Sequence, residues 1–494
     1  PDGGGWVFQQ DDDGTWVGGG RRRQHLVEVD DGYRLTEGHD RSWTFDADGV
    51  LTGFTADAAR VTVQRAPAAV RFTDASSGRW VSYRLDPATG LALAADSSDG
   101  RSATYEHDDR GRLVAARRES GPVTYEHDDE GVLASVVDGD GVTICRNQYD
   151  PAGRVLTQVE QHGRETRYEY RSDGVATVTA TDGAPPNVMV HDRRGRLTAM
   201  IDGLGNTMRL AYDDGDRVVQ IVDRTGATTR YAHDDRGNVV RRTDPDGLTV
   251  RSERDDRDPL VAEIDRAGGT TRFAYEGDLR EPSLITGADG AETRVERDPH
   301  GRPTRVTDAD GVTATLEWNR DGLLAAVANA VDGRTTFRYD DAGRTVAASL
   351  PGGRTTAVRL DDGGRVAELR TADGQQAFDY TEAGRMTGGR DASGATWQAV
   401  HDRAGDLAAV ADADGELLRF ERDLIGQVTA TIDGRGGRFA YEHDPVGRQT
   451  AIIDPEGHRT EADFDPEGRL VQLTDPTGRR SSRELDELGR ITMA

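Results

Sequence analysis

Tyr105-Glu106-His107-Asp108-Asp109-Arg110-Gly111-Arg112-Leu113 holds an Asp-x-x-Gly step followed by Arg and an apolar residue. Working outward, the same step returns at Gly131, Gly153, Gly195, Gly237, Gly301, Gly322, Gly343, Gly364, Gly384, Gly405, Gly426, Gly447, Gly468 and Gly489. The 378 residues from Gly111 to Gly489 are 18 steps of 21, and the frame survives weak copies near Asp258 and Leu279. A fixed period of this length is the signature of a repeat architecture, which overrides the ordinary division of a 494-residue chain into globular domains.

Three columns define each unit. An aromatic residue or His precedes Asp, as in Tyr149-Asp150, Tyr212-Asp213, Tyr339-Asp340, His443-Asp444 and Phe464-Asp465. Gly follows and then often Arg, as in Gly153-Arg154, Gly343-Arg344 and Gly447-Arg448. Halfway along comes a second turn: Asp138 to Gly141, Asp202 to Gly205, Asp223 to Gly226, Asp265 to Gly268, Asp308 to Gly311 and Asp412 to Gly415. Asp at the first turn position accepts hydrogen bonds from backbone amides further along the turn, and Gly at the fourth takes a positive φ that other residues resist. The short alternating segments between turns, such as Thr229-Arg230-Tyr231-Ala232-His233, read as strands. Two strands and two turns make one repeat, so the unit is a β-hairpin.

Composition fits this reading once turns are allowed to dilute strands. Val, Leu, Ile and Phe together number 91 of 494, which with a net charge of −27 would otherwise suggest disorder. The 60 Gly residues fall largely at the periodic positions. All 62 basic residues are Arg, a bias read as genomic and carrying no function. The acidic balance argues against nucleic acid as a partner, favours solubility, and disfavours anionic membranes. The single cysteine, Cys145, excludes an internal disulfide framework and a cysteine zinc site. No apolar run is long enough to span a membrane as a helix, and no signal peptide is visible. The start at Pro1 and the end at Met493-Ala494 suggest a fragment or processed product.

The Tyr-x-Tyr/His-Asp-x-x-Gly-Arg-Leu pattern, with its second Asp-x-x-Gly in phase, resembles the RHS/YD-repeat family: bacterial Rhs polymorphic-toxin shells, toxin-complex shell proteins and teneurins. The match is tight over roughly 85–494 and looser before. Residues 1–40, with Trp6, Trp16 and the basic run Arg21-Arg22-Arg23, form a divergent lead-in. Residues 41–100 are loosely matching initial repeats, including Trp43-Thr44-Phe45-Asp46-Ala47-Asp48-Gly49-Val50-Leu51, and 101–494 are the regular array. Strands of about six residues give a ribbon about 20 Å wide that advances about 10 Å per repeat. Strand twist curls such a ribbon and lets successive turns of the strip meet edge to edge. The residues alone leave a β-solenoid or a propeller open. The resemblance implies an all-β chain of antiparallel hairpins coiled into a spiral strip or partial hollow shell.

Candidate chemistry reduces to repeat architecture. His107, His127, His191, His233, His401 and His443 fall near multiples of the period and invite a metal reading, but they occupy the column that Tyr149, Tyr170, Tyr212, Tyr275, Trp318 and Tyr339 fill elsewhere. Asp108-Asp109, Asp128-Asp129 and Asp234-Asp235 could offer oxygen ligands to Ca²⁺, yet the column Asp of each is a turn residue. A carboxylate column repeated many times is not a catalytic pair. The resemblance also implies a self-cleavage motif ending Asp-Pro-x-Gly-Leu. Asp244-Pro245-Asp246-Gly247-Leu248 matches, but mid-array and without the upstream Pro, so it reads as a turn. Cys145 reads as a packed strand thiol. The expectation is no catalytic, cofactor or metal site. Tyr149, Asp150, Gly153, Arg154, Tyr339, Asp340, Gly343, Arg344, His443, Asp444, Gly447 and Arg448 are structural repeat positions.

What the resemblance implies is a non-enzymatic shell or scaffold, secreted or at the cell surface. It would enclose and help deliver a C-terminal toxin or effector domain lying outside this sequence, with secretion machinery or glycans as further partners. The alternative it leaves open is a surface adhesion or carbohydrate-binding repeat protein. The sequence that follows Ala494 separates the two.

Overall fold

Short strands bounded by Asp and Gly leave no room for helix, and there is none among the residues that the computed structural model describes: 8–10, 16–18, 24–37, 41–56, 59–75, 77–118, 121–170, 175–180, 185–256, 259–277 and 281–493. Trp6, Arg21, Arg22, Arg23, Asp258 and Leu279 lie outside them. Two compact units divide the chain, one formed by residues 1–105, 232–242 and 249–358, the other by 106–231, 243–248 and 359–494.

In the first unit each strand from Phe8–Gln10 to Ser102–His107 pairs antiparallel with the next in sequence. The strands from Thr249–Arg254 to Thr355–Leu360 do the same. In the second unit the two ladders run from Leu113–Arg118 to Thr228–His233 and from Val366–Thr371 to Arg480–Ser482, with a last small hairpin of Glu484–Leu485 and Ile491–Met493. Among the described residues the strands pair with their sequence neighbours, and the ladders do not close into a barrel. This is the all-β array of antiparallel hairpins that the period predicts.

Most of the turns are alike in detail. The amide of Gly111 donates to the Asp108 carbonyl at 2.9 Å, and the amide of Asp108 donates to the Arg112 carbonyl at 2.9 Å. Gly447 and Asp444 repeat the pattern at 2.9 and 2.9 Å. Such a loop is a type I turn closed by one residue in left-handed conformation. Gly fills that place at φ +78 in Gly111 and +87 in Gly447. Among the described residues the non-glycine at such a place is Asp216, at φ +62, where the order is Asp213-Asp214-Gly215-Asp216 and the glycine stands one residue early. Asp is among the few side chains that tolerate this region, and Asp216 gains from being there, because Arg194 and Arg196 reach its carboxylate at 2.8 and 2.6 Å.

Most of the hairpins that carry a Tyr-Asp turn among the described residues also carry a β-bulge beside it. The register slips at Glu126/His127, Gln148/Tyr149, Glu317/Trp318, Arg338/Tyr339 and Glu442/His443, among others. A bulge bends its strand and increases local twist. Because it recurs beside the same row of turns, the bend has the same sense in each of these hairpins.

No large side chain among the described residues is fully buried. The best-covered positions are small: Ala430 at 0 %, Ala262 and Ala326 at 1 % and Ala451 at 2 % exposure. Cross-strand pairs explain why. Ala326 lies opposite Glu317 on one side and Thr336 on the other, and Arg334 reaches across its strand to Glu317 at 2.6 Å. Arg459 reaches Glu442 past Ala451 at 2.6 Å, and Arg438 reaches Glu421 past Ala430 at 2.7 Å. A larger residue would push these ion pairs apart. Exposed pairs of this kind add only a few tenths of a kcal/mol each, but they cover the methyl groups beneath.

Gly343 sits at φ +74, and a Cβ there would meet the Arg79 guanidinium. Gly343→Val should therefore weaken its turn by about 1–3 kcal/mol. Faster hydrogen exchange at the amides of residues 340–345, without global unfolding, is the expected result, and unchanged protection would contradict it.

Candidate functional site

The repeated polar groups of the second unit form two systems, one running along the strip and one across it. Along the strip, each turn Asp is a lock with several tongues. Asp150 Oδ1 accepts the amides of Ala152 and Arg154, both at 2.9 Å, while Oδ2 accepts Arg154 Nε at 2.8 Å. Asp444 accepts Val446 and Arg448 amides at 3.0 Å each and Arg448 Nε at 2.6 Å. In the first unit Asp340 accepts the Arg344 amide at 2.8 Å and its Nε at 2.7 Å. The arrangement makes Asp the residue of choice, since only a carboxylate can accept all three donors at once.

These donors hold the carboxylates ionised. The Asp108 carboxyl lies at about 2, first because it accepts the Arg112 amide, with the Arg112 guanidinium and the Arg110 amide adding to this against partial desolvation. Asp150 is lowered first by the Arg154 amide and then by its guanidinium. For Asp340 and Asp444 desolvation acts first and upward, and the Arg344 and Arg448 amides and side chains outweigh it.

The Arg then links one repeat to the next. Arg154 lies over the Tyr170 ring at 4.3 Å, Arg196 over Tyr212 at 4.8 Å, Arg365 over Tyr380 at 5.1 Å and Arg448 over Phe464 at 5.1 Å. Arg448 also donates to the Asp465 carbonyl at 3.0 Å. The tyrosine answers in the opposite direction. Tyr149 donates its hydroxyl to the Leu133 carbonyl at 2.6 Å, Tyr212 to Leu197 at 2.7 Å and, in the first unit, Tyr339 to Leu324 at 2.7 Å. Trp318 Nε1 makes the same bond to Pro303 at 2.7 Å, and Arg422 makes it to Leu407 at 3.2 Å. Any long side chain with a terminal donor can fill the column. An imidazole is shorter, and the Nδ1 atoms of His127 and His233 are buried without a hydrogen-bond partner.

Of the sequence's repeat positions, Tyr149, Asp150, Arg154, Tyr339, Asp340, Arg344, Asp444 and Arg448 make these contacts, His443 pairs with Gln449 in the strand register, and Gly153, Gly343 and Gly447 occupy turns at φ +76, +74 and +87. Among the described residues, the group of ligand-type side chains whose donor atoms all fall within 4.8 Å is Asp454, Glu456 and His458, outside the His column. His458 Nδ1 is 2.9 Å from Asp454 Oδ2, which is the turn lock again with His in place of Arg. Cys145 is a free, half-buried thiol in the strand Thr143–Tyr149.

Across the strip, sequence reasoning missed a second system. Arg385 reaches Asp138 and Asp140 at 2.6 Å each, and Thr381 donates to Asp140 at 2.7 Å. His162 Nε2 contacts Asp406 Oδ2 at 2.5 Å. The Arg224 amide donates to Glu467 at 2.5 Å, Val446 lies against Gly203, and Arg490 is 3.9 Å from Asp246. Each contact joins a second-type turn of the earlier ladder to a Tyr-Asp turn of the later one. The partners are 241 to 247 residues apart, about eleven and a half repeats. The strip's long sides are rows of turns whose backbone groups are already bonded. For that reason the tiers meet through side chains, two of whose carboxylates also accept the turn amides of Arg224 and Ala383, and not through a strand ladder. Desolvation opposes the charge on Arg385, and the two carboxylates more than restore it, so its pKa lies above the ordinary value. Thr381 stands where other repeats carry the locking Asp, which frees Arg385 for this clasp. That missing Asp was the signal available in the sequence.

The comparisons with known proteins agree with this anatomy. Residues 205–402 match the family model described as Teneurin YD-shell, and residues 464–494 match the one described as RHS Repeat. Over those two stretches the repeats are of the RHS/YD type. Among solved structures, the chain is similar to a Tc holotoxin pore of Photorhabdus luminescens carrying a TccC3 mutation, with TM-score 0.52 and 12 % identity over 99 % of this chain and 33 % of that one. It is also similar to a TcdB2-TccC3 crystal structure, with TM-score 0.50 and 12 % identity over 96 % and 36 %. The fold is that of Tc toxin shell proteins, and the chain spans about a third of the length of the solved chains it matches. No curated protein matches it.

Tyr149→Phe removes one hydroxyl from the ladder and should cost about 0.5–1.5 kcal/mol, read as a lower denaturant midpoint; Phe464, a natural member of the column, shows that the ring alone still packs. Acid should act more broadly. A carboxyl whose pKa is lower folded than unfolded stabilises fully above the unfolded value near 3.9, and that contribution is lost as pH falls through the folded value, here about 2 for Asp108. Circular dichroism should hold down to about pH 4 and fall between about pH 4 and 2. A transition near pH 6 would mean that other groups control stability.

Proposed function

We propose that this chain is a non-catalytic wall segment of an Rhs-type toxin shell, which encloses a C-terminal effector and works outside the cell that makes it. The observation that carries the reading is the clasped pair of tiers in the second unit, where Arg385, His162, Arg224 and Arg490 fasten one length of strip onto another. Stacked tiers make a continuous barrier, and a barrier is what retention of a cargo requires. The family matches and the fold of the Tc shell proteins support the same reading. No helix among the described residues is long and apolar enough to cross a membrane. The polar constellations that could have suggested chemistry are turn locks repeated along the chain, a pattern suited to construction.

The test is made on the full gene product. Residues encoded after Ala494 should form a domain unrelated to the repeats that resists added protease. It should become digestible when the clasps are cut by Arg385→Ala with Glu467→Ala. A stop codon at that point, or equal digestion with and without the clasps, would overturn enclosure.

A further inference from the structure

A row of similar turns does not say which turn of another row it should meet. Each row advances about 10 Å per repeat, so two such rows displaced by one repeat would still find a turn opposite nearly every turn. The second unit nevertheless holds one pairing. The turn at 138–141 meets the one at 381–384, 160–163 meets 402–405, 202–205 meets 444–447, 223–226 meets 465–468, and 244–247 meets 486–489.

What changes from turn to turn is the sign of the group presented. On the earlier row the order is acid at Asp138 and Asp140, base at His162, uncharged at Gly203, base at Arg224 and acid at Asp246. On the later row it is Arg385, Asp406, Val446, Glu467 and Arg490, the opposite sign at every charged place. The inversion is plain at the second contact. His162 stands at the turn position that Asp140 has in the first, and Asp406 follows its turn glycine as Arg385 does, so acid and base have changed sides.

Displacing the later row by one repeat in one direction would set Asp138 and Asp140 against Asp406, and Arg224 against Arg490. The opposite displacement would set His162 against Arg385, and Asp246 against Glu467. Either way, two meetings of like charge replace attractions. Arg365, which the second displacement would bring opposite Asp140, is already held by Asp361 and by the Thr381 carbonyl, each at 2.7 Å. Like charges brought together in an interface oppose the wrong partner and fix register. We infer that the order of charges along this seam is a register key, which admits one stacking of the two tiers and rejects both stackings one repeat away. The key thereby sets the length of strip that lies between clasped turns. It belongs to the seam and holds whether or not the chain encloses an effector.

The test keeps the ion pairs and changes only their order. His162→Asp with Asp406→Arg, and Arg224→Glu with Glu467→Arg, make the earlier row acidic and the later row basic throughout. The native pairs then remain attractive, and both displaced stackings become attractive too. A second variant with only Arg224→Glu and Glu467→Arg leaves Asp406 beside Arg422, 3.8 Å away, and guards against misfolding. In a Cys145→Ser chain, Gly203→Cys carries a short photo-crosslinking label, since a Cβ at 203 would lie 3.6 Å from Val446. The chains are refolded from denaturant at about pH 5.5, where an imidazole is ordinarily charged, and mass spectrometry identifies the turn captured. With the native order, capture should fall on residues 444–447. With four substitutions, capture at 423–426 and 465–468 should rise about tenfold or more, and with two substitutions by less. Capture confined to 444–447 in both variants overturns the key, as does capture spread evenly over the three turns with the native order. Failure of both variants to fold also overturns it, because the key requires that pairs of either polarity hold the seam.

Discussion

The bidentate seizure of an Asp carboxylate by its own turn is the interaction from which the rest follows. Asp150 takes two amides and one guanidinium, and by doing so it fixes where the chain reverses. With reversals fixed near every tenth or eleventh residue, strand length and register are fixed too, since a hairpin's register is set by its turn. The guanidinium, held in plane by that carboxylate, is then presented to the next ring, as Arg154 is to Tyr170. One residue type at one position therefore sets a local fold, and its partner passes the setting on.

This explains how a chain with few bulky apolar residues can fold. An ordinary core gains its stability from large side chains removed from water, and here the deepest positions are alanines such as Ala430 and Ala262. Stability is distributed over nearest-neighbour contacts, as expected for repeat proteins. Acid charge, which would destabilise a compact globule by self-repulsion, is met locally because many of the turn Asp residues stand four positions before an Arg. The net charge of −27 is in this sense poorly descriptive of the surroundings of any one carboxylate.

What the sequence discloses follows the range of the interactions. The hairpins, the turn rows and the glycine positions are legible because each is decided within a few residues, and the glycine that stands early at Gly215 shows the rule by its exception: the conformation is kept and Asp216 bears it. The exchange of Tyr for Trp318 or Arg422 is legible as a column, but its reason is not, because the carbonyl being served lies some fifteen residues back. The clasps are the least legible. Their spacing is a half-integral number of repeats, so Arg385 and Asp138 stand in different columns and no internal alignment brings them together.

The clasps also show why a repeat departs from its consensus. Where Asp is kept, its Arg is bonded at home first, as Arg448 is by Asp444. Where Thr381 replaces Asp, the turn still closes through its hydroxyl, which accepts the Arg385 amide at 3.0 Å, and the guanidinium is released to another tier. A weak local turn is thereby exchanged for a long-range tie between groups that are mostly shielded from water, with side-chain exposures of 19, 11 and 18 % for Arg385, Asp138 and Asp140. Charge-assisted bonds in such surroundings are stronger than the same pair on an open surface. Departures from the repeat are thus the places where a strip made of interchangeable units acquires a particular stacking.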